Sequence, residues 1–145
     1  MPKADKIAIK TVSKPAEEDA RSLTDWFFES FDLSGKGDDQ EREMFREIVS
    51  SSLKGIGISS KEISKWQNLP RSTVIYDLNK FIDSGLVVRK GRKYYLRASD
   101  FESTIQELQA EMLTEFNRMM QFASRLDEIM EGEIHGKREK GTRSK

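Results

Sequence analysis

The stretch from Leu69 to Leu96, LPRSTVIYDLNKFIDSGLVVRKGRKYYL, constrains the chain most, because two backbone breakers and a change of hydrophobic period leave few ways to fold it. From Pro70 the apolar residues Val74, Leu78, Phe81 and Ile82 recur at helical spacing, and Gly85 stops the helix where a left-handed residue is tolerated. At about 100° per residue the opposite face carries Ser72, Tyr76, Asn79 and Lys80, a row of hydrogen-bonding groups in place of the Glu/Lys mixture of a merely solvated helix. Leu86, Val87 and Val88 then read as a strand, Lys90-Gly91-Arg92 as a turn, and Tyr94, Tyr95 and Leu96 as the returning strand. A helix over 70–84 with one core face and one polar face thus leads into a hairpin whose turn is loaded with cations.

The segments before it supply supporting helices. Residues 1–15 mix Lys with small residues ahead of Pro15 and read as a flexible basic arm, with at most a short strand at Ile7–Ile9. In 16–38 the acids Glu17, Glu18 and Asp19 precede Leu23, Trp26, Phe27 and Phe31, spaced for one side of a helix, and LSGKGDD from Leu33 reads as a loop. These aromatics suit a core or subunit contact; a pocket at Trp26 and Phe27 for a small-molecule effector is the sharper alternative, with no polar group placed to orient a ligand. Asp39 is placed to cap a helix with Phe45, Ile48, Val49 and Leu53 inward and Gly55 at its end. Ser59-Ser60-Lys61-Glu62 spells a capping box, with Ile58 and Ile63 as its hydrophobic staple. The helix it opens turns Ile63, Trp66 and Leu69 inward and stops before Pro70, because a residue preceding proline avoids the α region. Two short helices joined by a tight turn, the second with a polar outer face, make a helix-turn-helix arrangement.

Three segments, SKEISKWQNLPRSTV, YDLNKFIDSGLVVRK and GRKYYL, carry a family resemblance. Over Glu43–Leu96, a little over a third of the chain, they resemble the winged helix-turn-helix of prokaryotic, in particular archaeal, transcriptional regulators, the broad group that includes the MarR, ArsR and TrmB types. The resemblance implies a mainly α fold with a small β-wing, a winged helix-turn-helix domain over 39–98, and a homodimer bound to double-stranded DNA. Its contacts would be Arg71, Ser72, Thr73, Tyr76 and Asn79 in the major groove, with Arg71 bidentate on guanine, Asn79 on adenine, and Ser72 and Thr73 suited to a phosphate. Ile75 flanks this face towards a thymine methyl, and Lys80 suits the DNA backbone. Arg89, Lys90, Arg92 and Lys93 of the wing would follow the adjacent minor groove or the phosphates. Asp77 stays open: it can accept from a cytosine amine, pair with Arg71 or Lys80, or disfavour DNA.

After the hairpin, Ser99-Asp100-Phe101-Glu102 reads as a second capping box opening a long amphipathic helix over 99–134. Phe101, Ile105, Leu108, Met112, Phe116, Met119, Ala123, Leu126 and Met130 follow in steps of three and four. The stripe, roughly 30 residues from Phe101 to Met130, makes about 45 Å of helix and needs a partner, most simply the same helix of a second copy, joined through Ile105 to Met130 of that series. The methionines fit adaptable packing better than a cofactor. The tail 135–145 is basic and disordered by composition.

The 25 Lys/Arg balance 25 Asp/Glu, yet the charge lies in blocks. Residues 59–97 carry nine cations against three acids, and 98–135 carry two cations against nine acids, so a neutral total does not exclude a polyanionic partner. The absence of cysteine excludes thiol nucleophiles, thiolate metal sites and disulfides, and the lone histidine, His135, lies in the basic tail. There is no nucleotide-binding glycine motif, metal-ligand spacing or Ser/His/Asp set, so no enzyme, metal or cofactor is expected. The basic start MPKADKIAIK lacks an apolar signal core, and no run reaches the roughly 20 apolar residues of a membrane span, so a cytoplasmic protein is expected. The alternative to DNA binding is a winged-helix protein-interaction module in a transcription or chromosome-maintenance assembly, since fold alone does not decide function.

Overall fold

The computed structural model describes residues 7–33 and 38–140; the first six residues of the basic arm, 34–37 of the predicted loop and the last five residues of the tail lie outside the described residues. The chain divides after Gln109. Unit 1 holds the helices α1 (Ala20–Ser30), α2 (Asp38–Leu53), α3 (Ser60–Gln67) and α4 (Arg71–Asp83), the strands β1 (Ile58–Ser59), β2 (Val87–Lys90) and β3 (Lys93–Leu96), and the start of α5 (Phe101–Lys140). Unit 2 is the remainder of α5. The protein is mainly helical, with a small antiparallel sheet and a long C-terminal helix. Among the described residues no helix is long and apolar enough to cross a membrane.

The core of unit 1 is built on three rings. Phe28 of α1, Phe45 of α2 and Phe81 of α4 are fully buried with centroids 5.5–6.3 Å apart, joined by Met44, Ile48, Ile63, Val74 and Leu78. Phe28, absent from the face expected of α1, is its innermost residue, whereas Leu23 and Trp26 are half-buried. Adjacent Phe27 and Phe28 leave the sequence period unable to choose between them; Phe27 packs instead on Phe101 at 4.4 Å. Asp19 starts α1 by accepting from the Ser22 N–H at 2.8 Å, which holds its carboxyl below the ordinary range. No strand forms at Ile7–Ile9. Residues 7–15 are tied along α1 nonetheless: the Lys10 N–H donates to the Ser30 carbonyl at 2.8 Å and Trp26 Nε1 to the Ser13 carbonyl at 2.7 Å.

Helix α2 ends in a Schellman motif, the Ile56 N–H reaching the Ser51 carbonyl and the Gly55 N–H that of Ser52, with Gly55 at φ +77°. Leu53, expected inward, is 53% exposed, and so is Trp66 at 50%. The capping box of α3 is present in full: the Glu62 N–H donates to Ser59 Oγ and the Ser59 N–H to Glu62 Oε1, which lowers the Glu62 pKa. Asn68 closes α3 in the left-handed region at φ +57°, and Leu69-Pro70 leads into α4.

The expected two-stranded hairpin is part of a three-stranded sheet, ordered β1-β3-β2, with Ile58 opposite Tyr94 and Val88 opposite Tyr95. The strands run closer to the tip than the sequence suggested. Lys90 pairs with Lys93, leaving Gly91-Arg92 as a two-residue turn with Gly91 alone at positive φ (+64°), the type II′ pattern. Gly57, at φ +72°, lets the Tyr95 ring lie directly on its backbone: a Cβ there would stand 2.5 Å from the ring. That contact anchors the hairpin to the loop ahead of β1.

Asp100 caps α5 by accepting from the Ser103 N–H at 2.7 Å; the box led by Ser99 does not form. The helix spans 40 residues, about 60 Å, and runs through Gly136 to Lys140, so the expected boundary at 134 is too early. Its first turns belong to the core of unit 1. Leu108 is buried there and Ile105 packs against it, so these two residues of the predicted dimer seam are already occupied within the chain.

Candidate nucleic-acid interface

Val74, Leu78 and Phe81 hold the inner face of α4 in the core, which turns Arg71, Ser72, Thr73, Tyr76 and Asn79 to the exterior. Tyr76 is 69% exposed. Pro70, as the N-cap, offers no side-chain acceptor to the first turn of α4, and no cap side chain takes the backbone N–H groups of Arg71 and Ser72. Ile75 is half-buried, packed against the core at the edge of this face.

Two predicted contacts differ from expectation. Lys80 is partly covered and its Nζ lies 3.2 Å from Glu41 Oε2 of α2, so it holds α4 to α2 and is not a free cation for a DNA backbone. Asp77 is not on the outer face. It is buried, three residues from Val74 and four from Phe81, a spacing that already set it on the inner side. Its neighbour is the equally buried Glu41. Burial first, then the Glu41 carboxylate, push the Asp77 pKa up to about 7, with Lys80 opposing. A protonated Asp77 donates to Glu41, whose Oε1 is buried with no other donor in reach. Glu41 is the functional neighbour that the sequence reading did not single out, although it stands four residues before Phe45 and seven before Ile48 and so on the inner face of α2.

In the hairpin, Arg89, Lys90 and Arg92 are exposed and Lys93 is half-buried, its Nζ 3.2 Å from the Ile56 carbonyl. Arg89 Nε donates to the Gly91 carbonyl across the turn at 2.8 Å, and Lys90 Nζ lies 5.5 Å from the centroid of Tyr95. Arg97, also counted with this basic block, is buried and donates from Nε to Glu107 at 2.9 Å, so it contributes structure and little field. Lys61 and Lys65 of α3 remain exposed. Arg71 Nη2 donates to Ser60 Oγ at 3.1 Å, and Ser59 pairs with Lys93 across β1 and β3, so two adjacent serines join the start of α4 to the turn end of the hairpin.

A cleft of about 750 Å³ opens elsewhere in unit 1, between α1, α2 and α3. Phe27, Val49, Leu53 and Trp66 line it; Trp26, expected there, does not. Arg46, Glu43 and Glu47 border it, with Arg46 paired to Asp25, so polar groups are present where none was expected. Among the described residues no group of His, Asp or Glu is placed to hold a metal ion. Comparison with protein-family models, curated proteins and solved structures finds no match, and the reading of these surfaces rests on their residues and geometry.

Proposed function

We propose that the chain is a sequence-specific, double-stranded-DNA-binding transcriptional regulator of the winged helix-turn-helix type, acting as a homodimer. In this reading α4 enters the major groove, Arg71, Tyr76 and Asn79 meet base edges with Ile75 beside them, and Ser72, Thr73 and the uncapped helix start meet a phosphate. Arg89, Lys90, Arg92 and Lys93 follow the backbone or the minor groove. The observation that carries it is the junction at Ser59 and Ser60, which ties Arg71 and the hairpin's Lys93 to one small region of unit 1.

The apolar stripe of α5, half-buried at Met112 and exposed from Phe116 to Met130, supports self-association through Met112, Phe116, Met119, Ala123, Leu126 and Met130. A two-fold dimer predicts a palindromic site. Titration of duplex DNA at several salt concentrations tests the proposal: the affinity falls with a log–log slope of about −0.9 per phosphate neutralised. Absence of both affinity and salt slope refutes it.

The cleft rimmed by Trp66 and Leu53 favours a second reading, a winged-helix protein-interaction module with an apolar docking site. Full cellular activity of an Arg71→Ala/Arg92→Ala variant would select that reading over the first.

A further inference from the structure

Beyond Gln109, α5 is apolar over a wider arc than a two-helix seam uses. Phe116, Met119, Ala123, Leu126 and Met130 alternate steps of three and four, the a and d positions of a heptad. In that register Leu113, Met120 and Ile134 fall at e, and Phe122 and Ile129 at g. All nine large apolar side chains among these are 43–67% exposed. At about 100° per residue the arc from Ile129 round to Leu113 covers about 200°, against the roughly 100° stripe with which a helix faces one neighbouring surface.

The charges are arranged to match. In two-stranded coils the e and g positions border the seam and carry the charges that choose the partner. Here the cations Arg118 and Arg125 sit at c, away from the seam, and pair within the helix with Glu115 at 3.2 Å and Glu128 at 3.3 Å. Glu115 and Asp127 are the departures from an apolar g and e. A helix apolar at a, d, e and g has neighbours on two sides, as inside a four-helix bundle. The sequence also identifies the neighbour. Residues 100–115 carry five acids and no cation, and 136–140 carry three cations and one acid, so an antiparallel copy of the same helix brings the basic end of one towards the acidic start of the other.

We propose that the C-terminal part of α5 assembles with three further copies into a four-helix bundle. The a and d rows form the seam within each pair of helices, and the apolar e and g flanks form the contact between pairs. The proposal rests on the self-association reading above and extends it from two copies to four.

Light scattering and sedimentation equilibrium of the full chain, across low to high micromolar concentration, test it. Four copies of the 16.7 kDa chain give about 67 kDa. A Phe122→Glu/Ile129→Glu variant is expected to halve that mass, and Leu126→Glu, at the centre of the seam, to reduce it to a single copy. Near-ultraviolet circular dichroism from the core of unit 1 should be unchanged in both. A wild-type mass of one, two or three copies overturns the proposal, as does a flank variant that stays at four. Duplex DNA binding by the same samples separates the two readings: a DNA-binding wild-type dimer overturns the bundle alone, and a tetramer without DNA affinity overturns the regulator alone.

Discussion

Replacing Asp77 by Asn should stabilise the protein above neutral pH and do nothing below about pH 4. Asp77 and Glu41 are 5% and 6% exposed and face one another with Lys80 as the adjoining cation. The Asp77 pKa rises from an ordinary 3.8 to about 7 because its charge is desolvated and set against a second carboxylate. Below pH 3.8 the folded and unfolded chains both hold the proton. Between 3.8 and 7 the unfolded chain releases it while the folded chain keeps it, so stability falls as pH rises; above 7 the loss is complete and constant. Three units at about 1.4 kcal/mol each would be about 4 kcal/mol, and sharing of the charge with Lys80 and Glu41 brings this to about 2–4 kcal/mol. Asn keeps a donor for Glu41 and carries no charge. Urea unfolding by circular dichroism from pH 4 to pH 9 should show Asp77→Asn more stable by about 2 kcal/mol or more at pH 8, with the gap closing towards pH 4. Glu41→Gln should flatten the wild-type pH dependence as well, since Lys80 can then pair with an ionised Asp77. A gap independent of pH, or a variant less stable at pH 8, refutes the shared-proton account.

Gly57→Ala should cost about 2 kcal/mol or more in urea unfolding, from positive φ and from a Cβ 2.5 Å from the Tyr95 ring; a second change, Tyr95→Ala, should recover the clash but not the backbone strain. Phe28→Ala should cost about 3–5 kcal/mol of stability, because the ring is fully buried between Phe45 and Phe81. In DNA titrations, Lys90→Ala/Arg92→Ala should lower affinity evenly across sequences and flatten the salt slope by about 2 per chain, whereas Asn79→Ala should lose discrimination at one base pair by about 1–3 kcal/mol.

Local rules read from the sequence recovered the elements where one residue controls the backbone. Ser59 and Glu62 make their capping box, Gly55 ends α2, Pro70 separates α3 from α4, and Gly91 turns the hairpin. They also set Arg71, Ser72, Thr73, Tyr76 and Asn79 on the exposed face of α4, because an apolar period determines by elimination which residues point away from a core. The same rules misplaced Leu53 and Trp66, which follow the period but lie where no neighbour covers them.

What the sequence alone determined about Leu69–Leu96 is its local order: a helix with a polar outer face, then a hairpin crowded with cations. Tertiary structure decided which of its charges remain available. Lys80 and Asp77 are withdrawn by Glu41, more than thirty residues earlier, and Arg97, the residue just after the stretch, is withdrawn by Glu107. The third strand, Ile58–Ser59, and the serines that join Arg71 to the hairpin likewise come from a segment outside the stretch. Periodicity reports the face on which a side chain lies, within one element. Pairing of charges and strands depends on distances between elements, and these exist only once the chain has folded.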